Sequence, residues 1–284
     1  MAEQVLVTLD CELCDADTPI LHADNLAALR GDGVFETLLV RHGKVCNLAA
    51  HLSRLENSAK LLDLPHVEAA DWRDAIAMAV QRWGNRREGV LRLVYARGRE
   101  NAGSATTAYV LVTPLAHRML QARASGVSVL TLERGYASDL AEFAPWLLLG
   151  AKTLSYAVNM AAVRYANDNG ADDAVFVSSD GYLLEGPRAA VVVLRDGELA
   201  TPPAELGILP STTQRAVFDI ADQYGFTTAY KPLTVVDLLN ADGAWMLSSV
   251  TLSARITSVN GLRMPTPAGE SDFARLVERA VERD

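Results

Sequence analysis

Lys152 is the residue whose type and setting point most directly to chemistry. It carries the one charge in the run Trp146-Leu147-Leu148-Leu149-Gly150-Ala151-Lys152-Thr153-Leu154-Ser155-Tyr156. Four lysines, Lys44, Lys60, Lys152 and Lys231, stand against 22 arginines, so a cation wanted only for charge would here more often be arginine. What lysine alone offers is an amine that can lose its proton when desolvated and attack a carbonyl. The bland use is a strand-end lysine whose ammonium snorkels to water. Glu185 is the acid of an otherwise apolar meander, between Leu184 and Gly186-Pro187, and needs a cation or an N–H partner to stay ionised there. Ser211-Thr212-Thr213 crowd hydroxyls onto the start of a helix. Such a site can take a phosphate, although hydroxyls also cap helices with no ligand.

These residues need elements to hold them. The apolar positions Leu48, Leu52, Leu55, Ala59 and Leu62 recur at three- and four-residue steps and predict a helix with one buried stripe. His51, Arg54 and Ser58 follow i, i+3, i+7 along its edge, where the helix meets its sheet. Arg54 can there clamp an anion or make an ordinary surface pair. Residues 5–9, 34–40 with 44–48, 89–96 and 107–112 read as strands, and 69–83 as a second helix. The loop 97–104 carries Arg97 and Arg99 beside glycine and suits a carboxylate ligand or plain solvent. The pattern weakens over 114–126, which sets a first domain over 1–115, a linker over 116–126 and a second domain over 127–284. In the second, strands are expected at 127–132, 174–177, 182–185, 189–194, 243–249 and 255–259. Helices are expected from Thr153 or Leu154 to Asn167, from 212 to about 224, and over 271–283, so that Lys152 stands at a helix entrance. Gly31-Asp32-Gly33 precedes a strand and lacks a third glycine, which argues against a dinucleotide loop.

A net charge of -9 and a pI near 5.1, with no concentrated basic patch, argue against a nucleic-acid or anionic-membrane partner and for a small-molecule substrate. Cys11, Cys14 and Cys46 cannot pair completely, and the lone CxxC lacks metal-ligand company. They read as thiols of a reducing compartment. Without a basic and apolar leader or a membrane-length run, the expected location is the cytoplasm.

An imine-forming lysine, an acid for a ring nitrogen and a phosphate cradle together describe one need, pyridoxal phosphate. The same residues also resemble a known family over nearly the whole chain. Gly31-Asp32-Gly33-Val34-Phe35-Glu36-Thr37, His51-Leu52-Ser53-Arg54-Leu55, Gly150-Ala151-Lys152-Thr153-Leu154-Ser155, Leu184-Glu185-Gly186, Thr201-Pro202-Pro203 and Ile208-Leu209-Pro210 follow the order and spacing of the fold-type IV pyridoxal-phosphate enzymes. These comprise aminodeoxychorismate lyases, branched-chain aminotransferases and D-amino-acid aminotransferases. The resemblance implies an α/β fold of α+β type in two domains, with the cofactor at the domain interface, and a homodimer. It implies Lys152 as the Schiff-base lysine, Glu185 as the pyridine-nitrogen partner, and Arg54, Thr212, Thr213 and Thr251 on the phosphate. Arg97, Phe35 and Thr37 become candidate substrate contacts. The chain departs from the pattern at Ala189-Ala190-Val191, where a Ser-x-Asn-like element is common, and at Ser211 and Gln214, where glycine and arginine are usual.

Within the family the chain is most similar to the lyases that convert 4-amino-4-deoxychorismate to 4-aminobenzoate and pyruvate, a step of folate biosynthesis. Lys152 would serve as general acid and base. The alternative is transamination of D- or branched-chain amino acids, which shares the first proton abstraction. A non-catalytic binding protein of the same fold is the third expectation.

Overall fold

The computed structural model describes residues 4–283 apart from Arg86, Ala102 and Ser104, so part of the loop 97–104 lies outside the described residues. The chain divides into two compact units, one of Met1–Ala116 with Ala151–Tyr156, the other of His117–Gly150 with Ala157–Arg283.

The first unit is built on strands β1 (Val5–Thr8), β2 (Leu13–Cys14), β3 (Gly33–Arg41), β4 (Lys44–Val45), β5 (Gly89–Ala96) and β6 (Thr107–Pro114), in the sheet order β2-β1-β6-β5-β3-β4. Helices α1 (Leu26–Arg30), α2 (Leu48–Leu61) and α3 (Ala69–Trp83) complete it. β3 and β5 run antiparallel from Gly33 opposite Ala96 to Val40 opposite Gly89. Alternation along β3 sends Val34, Glu36, Leu38 and Val40 to one face, and all four are fully buried. Phe35 and Thr37 point the other way and are half-buried. α2 packs on β3 with His51, Leu52, Leu55, Ser58 and Ala59 as its buried residues. α1 falls between the strands expected at 5–9 and 34–40; Asn25 caps its start through a bond from the Ala27 N–H, and Gly31 ends it in the left-handed region at φ 67°.

The second unit holds an eight-stranded sheet among the described residues: β7 (Val127–Glu133), β8 (Asp173–Val177), β9 (Ala190–Arg195), β10 (Glu198–Thr201), β11 (Thr227–Tyr230), β12 (Gly243–Ser248), β13 (Leu252–Val259) and β14 (Leu262–Arg263). Their order is β11-β10-β9-β12-β13-β7-β8, with β14 on β13. The helices are α4 (His117–Ser125), α5 (Leu140–Phe143), α6 (Ala157–Asp168), α7 (Thr212–Phe218), α8 (Val235–Leu239) and α9 (Glu270–Val281). α9 buries Phe273, Leu276, Val277, Ala280 and Val281 at helical spacing, and Phe273 stacks on Trp245 of β12 with centroids 3.9 Å apart.

The stretch over 116–126 holds α4, which packs on β13; its polar, Ala-rich sequence buries none of its residues, so it shows no apolar stripe. Two expectations need correction. The helix expected from Thr153 or Leu154 begins at Ala157, because residues 152–154 are extended against β3. The Phe35 N–H donates to the Lys152 carbonyl at 3.0 Å and the Leu154 N–H to the Gly33 carbonyl at 2.8 Å. Those bonds commit backbone groups that a helix would use, and they are why residues 151–156 group with the first unit. Residues 182–185 make only isolated bridges, from Leu183 to Val177 and from Tyr182 to Thr234.

Candidate active site

In the first unit the chemistry gathers where residues 152–155 lie along β3. Close approach explains the Gly-Asp-Gly motif: a Cβ on Gly33 would stand 2.6 Å from the Ala96 Cβ and 2.8 Å from a Leu154 methyl, and one on Gly31 2.6 Å from the Ser155 hydroxyl. Two small positions thus admit the lysine-bearing segment. Lys152 is anchored by main-chain bonds, its N–H donating to the Ser58 hydroxyl of α2 at 3.1 Å. Its Nζ lies 4.5 Å from the centroid of the Phe35 ring and 5.5 Å from that of Tyr156, and these two rings meet edge to face at 5.2 Å. Lys152 is therefore neither at a helix entrance nor a surface tether; it faces two aromatic rings in a partly buried setting.

Behind it sits a charged cluster. Glu36 is fully buried and accepts from Arg54, Nε to Oε1 at 2.6 Å and a terminal nitrogen to Oε2 at 2.8 Å. His51 Nδ1 is 2.7 Å from the same Oε2. Burial alone would raise the Glu36 carboxyl, but the Arg54 charge and hydrogen bonds, with those of His51, outweigh it and hold the group well below the usual carboxylate range. An ionised carboxylate only accepts, so His51 must donate from Nδ1. Burial pushes His51 down; Glu36 opposes this, and the Arg54 and Lys152 charges add to it. Glu36 was not singled out as a functional residue on sequence, although a glutamate on the apolar alternation Val34-x-Glu36-x-Leu38-x-Val40 is a readable signal.

Arg97 lies in the same unit, with its Nε on Asp32 at 2.8 Å and a terminal nitrogen on the Leu62 carbonyl. It has a carboxylate partner within the chain, and its side chain is 41% exposed. Phe35 is beside Lys152, and Thr37 lies two residues along the same strand face.

In the second unit, Glu185 is half-buried, and its Oε1 accepts the Leu209 N–H at 3.2 Å, the kind of partner its apolar surroundings require. Its own carbonyl accepts from Phe176 of β8, and Gly186 has no room for a Cβ, which would sit 2.1 Å from the Met246 methyl. Tyr136 lies near enough that the Glu185 charge adds to burial in raising its phenol. Thr212 and Thr213 are buried in the first turn of α7, behind the Ser211 cap, whose hydroxyl accepts from the Gln214 N–H at 3.1 Å. The Thr213 hydroxyl donates to that of Ser249 at 3.5 Å, in the turn that also holds Thr251, whose N–H reaches the Ser248 hydroxyl at 3.3 Å. Ser249 and Tyr136 are further polar neighbours that no sequence motif marked.

The first unit thus brings together an amine, a largely buried guanidinium and a buried carboxylate, and the second holds a half-buried carboxylate and, at a helix start, a set of hydroxyls. Residues 33–259 match the model of the class IV amino-transferases, and the chain belongs to that family. It is 51% identical over 290 residues, 99% of this chain and 100% of the relative, to a bifunctional aminodeoxychorismate lyase / D-amino acid transaminase of Mycobacterium tuberculosis. Among solved structures, it resembles a hypothetical aminotransferase from Mycobacterium tuberculosis in its PLP-bound form, with 50% identity, a TM-score of 0.95, and 98% of this chain and 99% of that one covered. A fold IV-transaminase from Curtobacterium pusillum follows at 41% identity and a TM-score of 0.92, covering 97% and 98%. These likenesses bear out the two-sheet α/β fold and the family expected from sequence.

Proposed function

We propose that the protein is a pyridoxal-phosphate enzyme that converts 4-amino-4-deoxychorismate to 4-aminobenzoate and pyruvate, as a cytoplasmic homodimer. The observation that carries this is the end-to-end likeness to a relative named for that lyase activity. The donor set fits the cofactor: Lys152 for the aldehyde, Glu185 for the ring nitrogen, and Arg54, Thr212, Thr213 and Thr251 for the phosphate. When bound, pyridoxal phosphate supplies an aldehyde that condenses with amines and a ring that accepts the electron pair left at a substrate carbon.

The rest is work for the chain's own residues. With the cofactor bound, Lys152 would be the base that takes the proton from the amine-bearing carbon and the acid that returns a proton to the departing enolpyruvyl group, so that pyruvate leaves and the substrate ring becomes aromatic. Phe35 and Tyr156 hold its Nζ against their faces and keep water from that side. Glu185 would hold a negative charge at the ring nitrogen of the bound cofactor, which would favour the protonated ring. Arg97 is the cation for a substrate carboxylate. Phe143, Trp146 and Leu147, all well exposed within one short stretch, support a subunit contact. Three free cysteines support a reducing compartment.

Transamination of D-amino acids is the second reading, favoured by the same relative's other named activity and by the shared first proton transfer. The test supplies enzymatically generated aminodeoxychorismate to cofactor-loaded protein and measures 4-aminobenzoate, with Lys152→Ala as the blank. Product should form only with Lys152 present. Loaded protein that makes no 4-aminobenzoate above the blank, yet transfers the amino group of D-alanine to 2-oxoglutarate, would reverse the order of the two readings.

A further inference from the structure

Glu36 is the most deeply buried charge described in the first unit, and the proposed chemistry gives it no step. Its two oxygens are committed inward: Oε1 to Arg54 Nε, and Oε2 to a terminal nitrogen of Arg54, to His51 Nδ1 and, at 3.3 Å, to the Thr37 N–H. A carboxylate so engaged is poorly placed to act as a base toward a ligand. Burying such a group brings little net stability, because desolvation offsets much of the attraction and apolar side chains would fill the same space. What the arrangement does provide is direction. Gripping a planar guanidinium along its Nε edge fixes the plane and aims the opposite edge.

The same helix also sets a distance. Arg54 and Ser58 are one turn apart on α2, and Ser58 accepts the Lys152 N–H. The lysine proposed for the cofactor aldehyde and the arginine proposed for its phosphate are thus both referenced to one helix face. The helix is held to β3 in part through Glu36.

We propose that Glu36 is a positioning residue, which aims Arg54 at the cofactor phosphate and, with His51, locks α2 at the spacing that lets Lys152 and Arg54 hold one pyridoxal phosphate. This rests on the reading of Arg54 as a phosphate ligand. Its signature is selectivity: loss of Glu36 weakens the grip on the phosphate and not on the rest of the cofactor.

The experiment titrates the cofactor-free full-length protein with pyridoxal phosphate and, separately, with pyridoxal, which lacks the phosphate, following the ligands' absorbance. Wild type, Arg54→Gln, Glu36→Gln and Glu36→Asp are compared. Glu36→Gln should raise the Kd for pyridoxal phosphate by about 10- to 100-fold, the scale on which outer partners of a binding group act, and leave that for pyridoxal within about two-fold. Glu36→Asp keeps the charge but withdraws it by one methylene, and should show the same selectivity to a smaller extent. Should Glu36→Gln not fold, Glu36→Asp carries the comparison alone. Equal losses for both ligands, or no loss for either, would overturn the positioning role. If Arg54→Gln itself fails to discriminate between the ligands, the phosphate reading of Arg54 falls first, and the role of Glu36 falls with it.

Discussion

Glu36 and Glu185 are both carboxylates in apolar company, one in each unit, and they are kept ionised in opposite ways. Glu36 is fully buried on the core face of a central strand and is balanced by a guanidinium and an imidazole. Glu185 is half-buried on an irregular stretch after β8 and takes a backbone N–H. The first is charge neutralised by charge, where the geometry of several side chains must agree. The second is a charge that a backbone N–H helps to hold. A fully buried acid gripped by side chains from a helix positions those side chains, and a half-buried acid on an irregular stretch is the one proposed for chemistry.

The largest effect should come from breaking the first of these. Glu36→Leu takes the carboxylate away from the largely buried Arg54 guanidinium, and removing one partner of a buried pair costs about 3–5 kcal/mol. Glu185→Gln keeps the oxygen that the Leu209 N–H reaches and should change stability by less than about 1 kcal/mol, while 4-aminobenzoate formation falls steeply because a neutral amide no longer favours a protonated ring. Urea unfolding of both cofactor-free variants, beside their activity when loaded, measures the contrast. Similar stability losses in the two would erase it.

Acid should separate the units further. His51 is held below its ordinary value of 6.5, so the unfolded chain binds the extra proton first, and the stability tied to a neutral His51 is full above that pH and lost as pH falls below it. Glu36 is also depressed, so its share is present above its ordinary 4.5 and disappears only on further acidification. In the second unit Asp180, lowered to about 2 by the Ser138 and Ser178 hydroxyls, is exposed, so solvent screens its share, and what it contributes is lost only on further acidification. Unfolding free energy measured from pH 8 to 4 should therefore decline in an upper stage that His51→Gln flattens and Asp180→Asn leaves in place. An upper stage unchanged in His51→Gln would contradict the assignment.

The contrast between the units also explains what could be read in the sequence. Regular periodicity carried most elements: α3 and β5 fall on the residues expected, and α2, β3 and α9 within a residue or two. The edge formed by His51, Arg54 and Ser58 was visible as helical spacing. Its counterpart on β3 was not, because a strand's alternation says that Glu36 faces the core but not which helix residue meets it there. The extended course of residues 152–154 was hidden for a similar reason. It depends on Gly31 and Gly33 admitting a distant segment, and glycine in a turn and glycine under a close neighbour look alike in sequence. In the second unit the hydroxyls of Thr212 and Thr213 were legible as a helix start, whereas Ser249 enters from a turn 36 residues away.

That hydroxyl pair offers the smallest and most discriminating change. Thr213→Val keeps the β-branched shape in a position that is 1% exposed but removes the donor that reaches Ser249. The bond is neutral and, at 3.5 Å, long, so the fold should lose no more than about 1 kcal/mol. If the Thr213 hydroxyl serves the cofactor phosphate, one neutral hydrogen bond is lost on binding, and the Kd for pyridoxal phosphate should rise about 5- to 10-fold, the equivalent of roughly 1–1.4 kcal/mol. Pyridoxal binding should not change. Glu36 acts through Arg54, and Arg54 and Thr213 are both proposed for the phosphate, so Thr213→Val and Glu36→Asp share a partner and should depart from additivity in free energy. A Thr213→Val variant that binds pyridoxal phosphate as well as wild type would mean that Thr213 is a core hydroxyl without a part in the phosphate site.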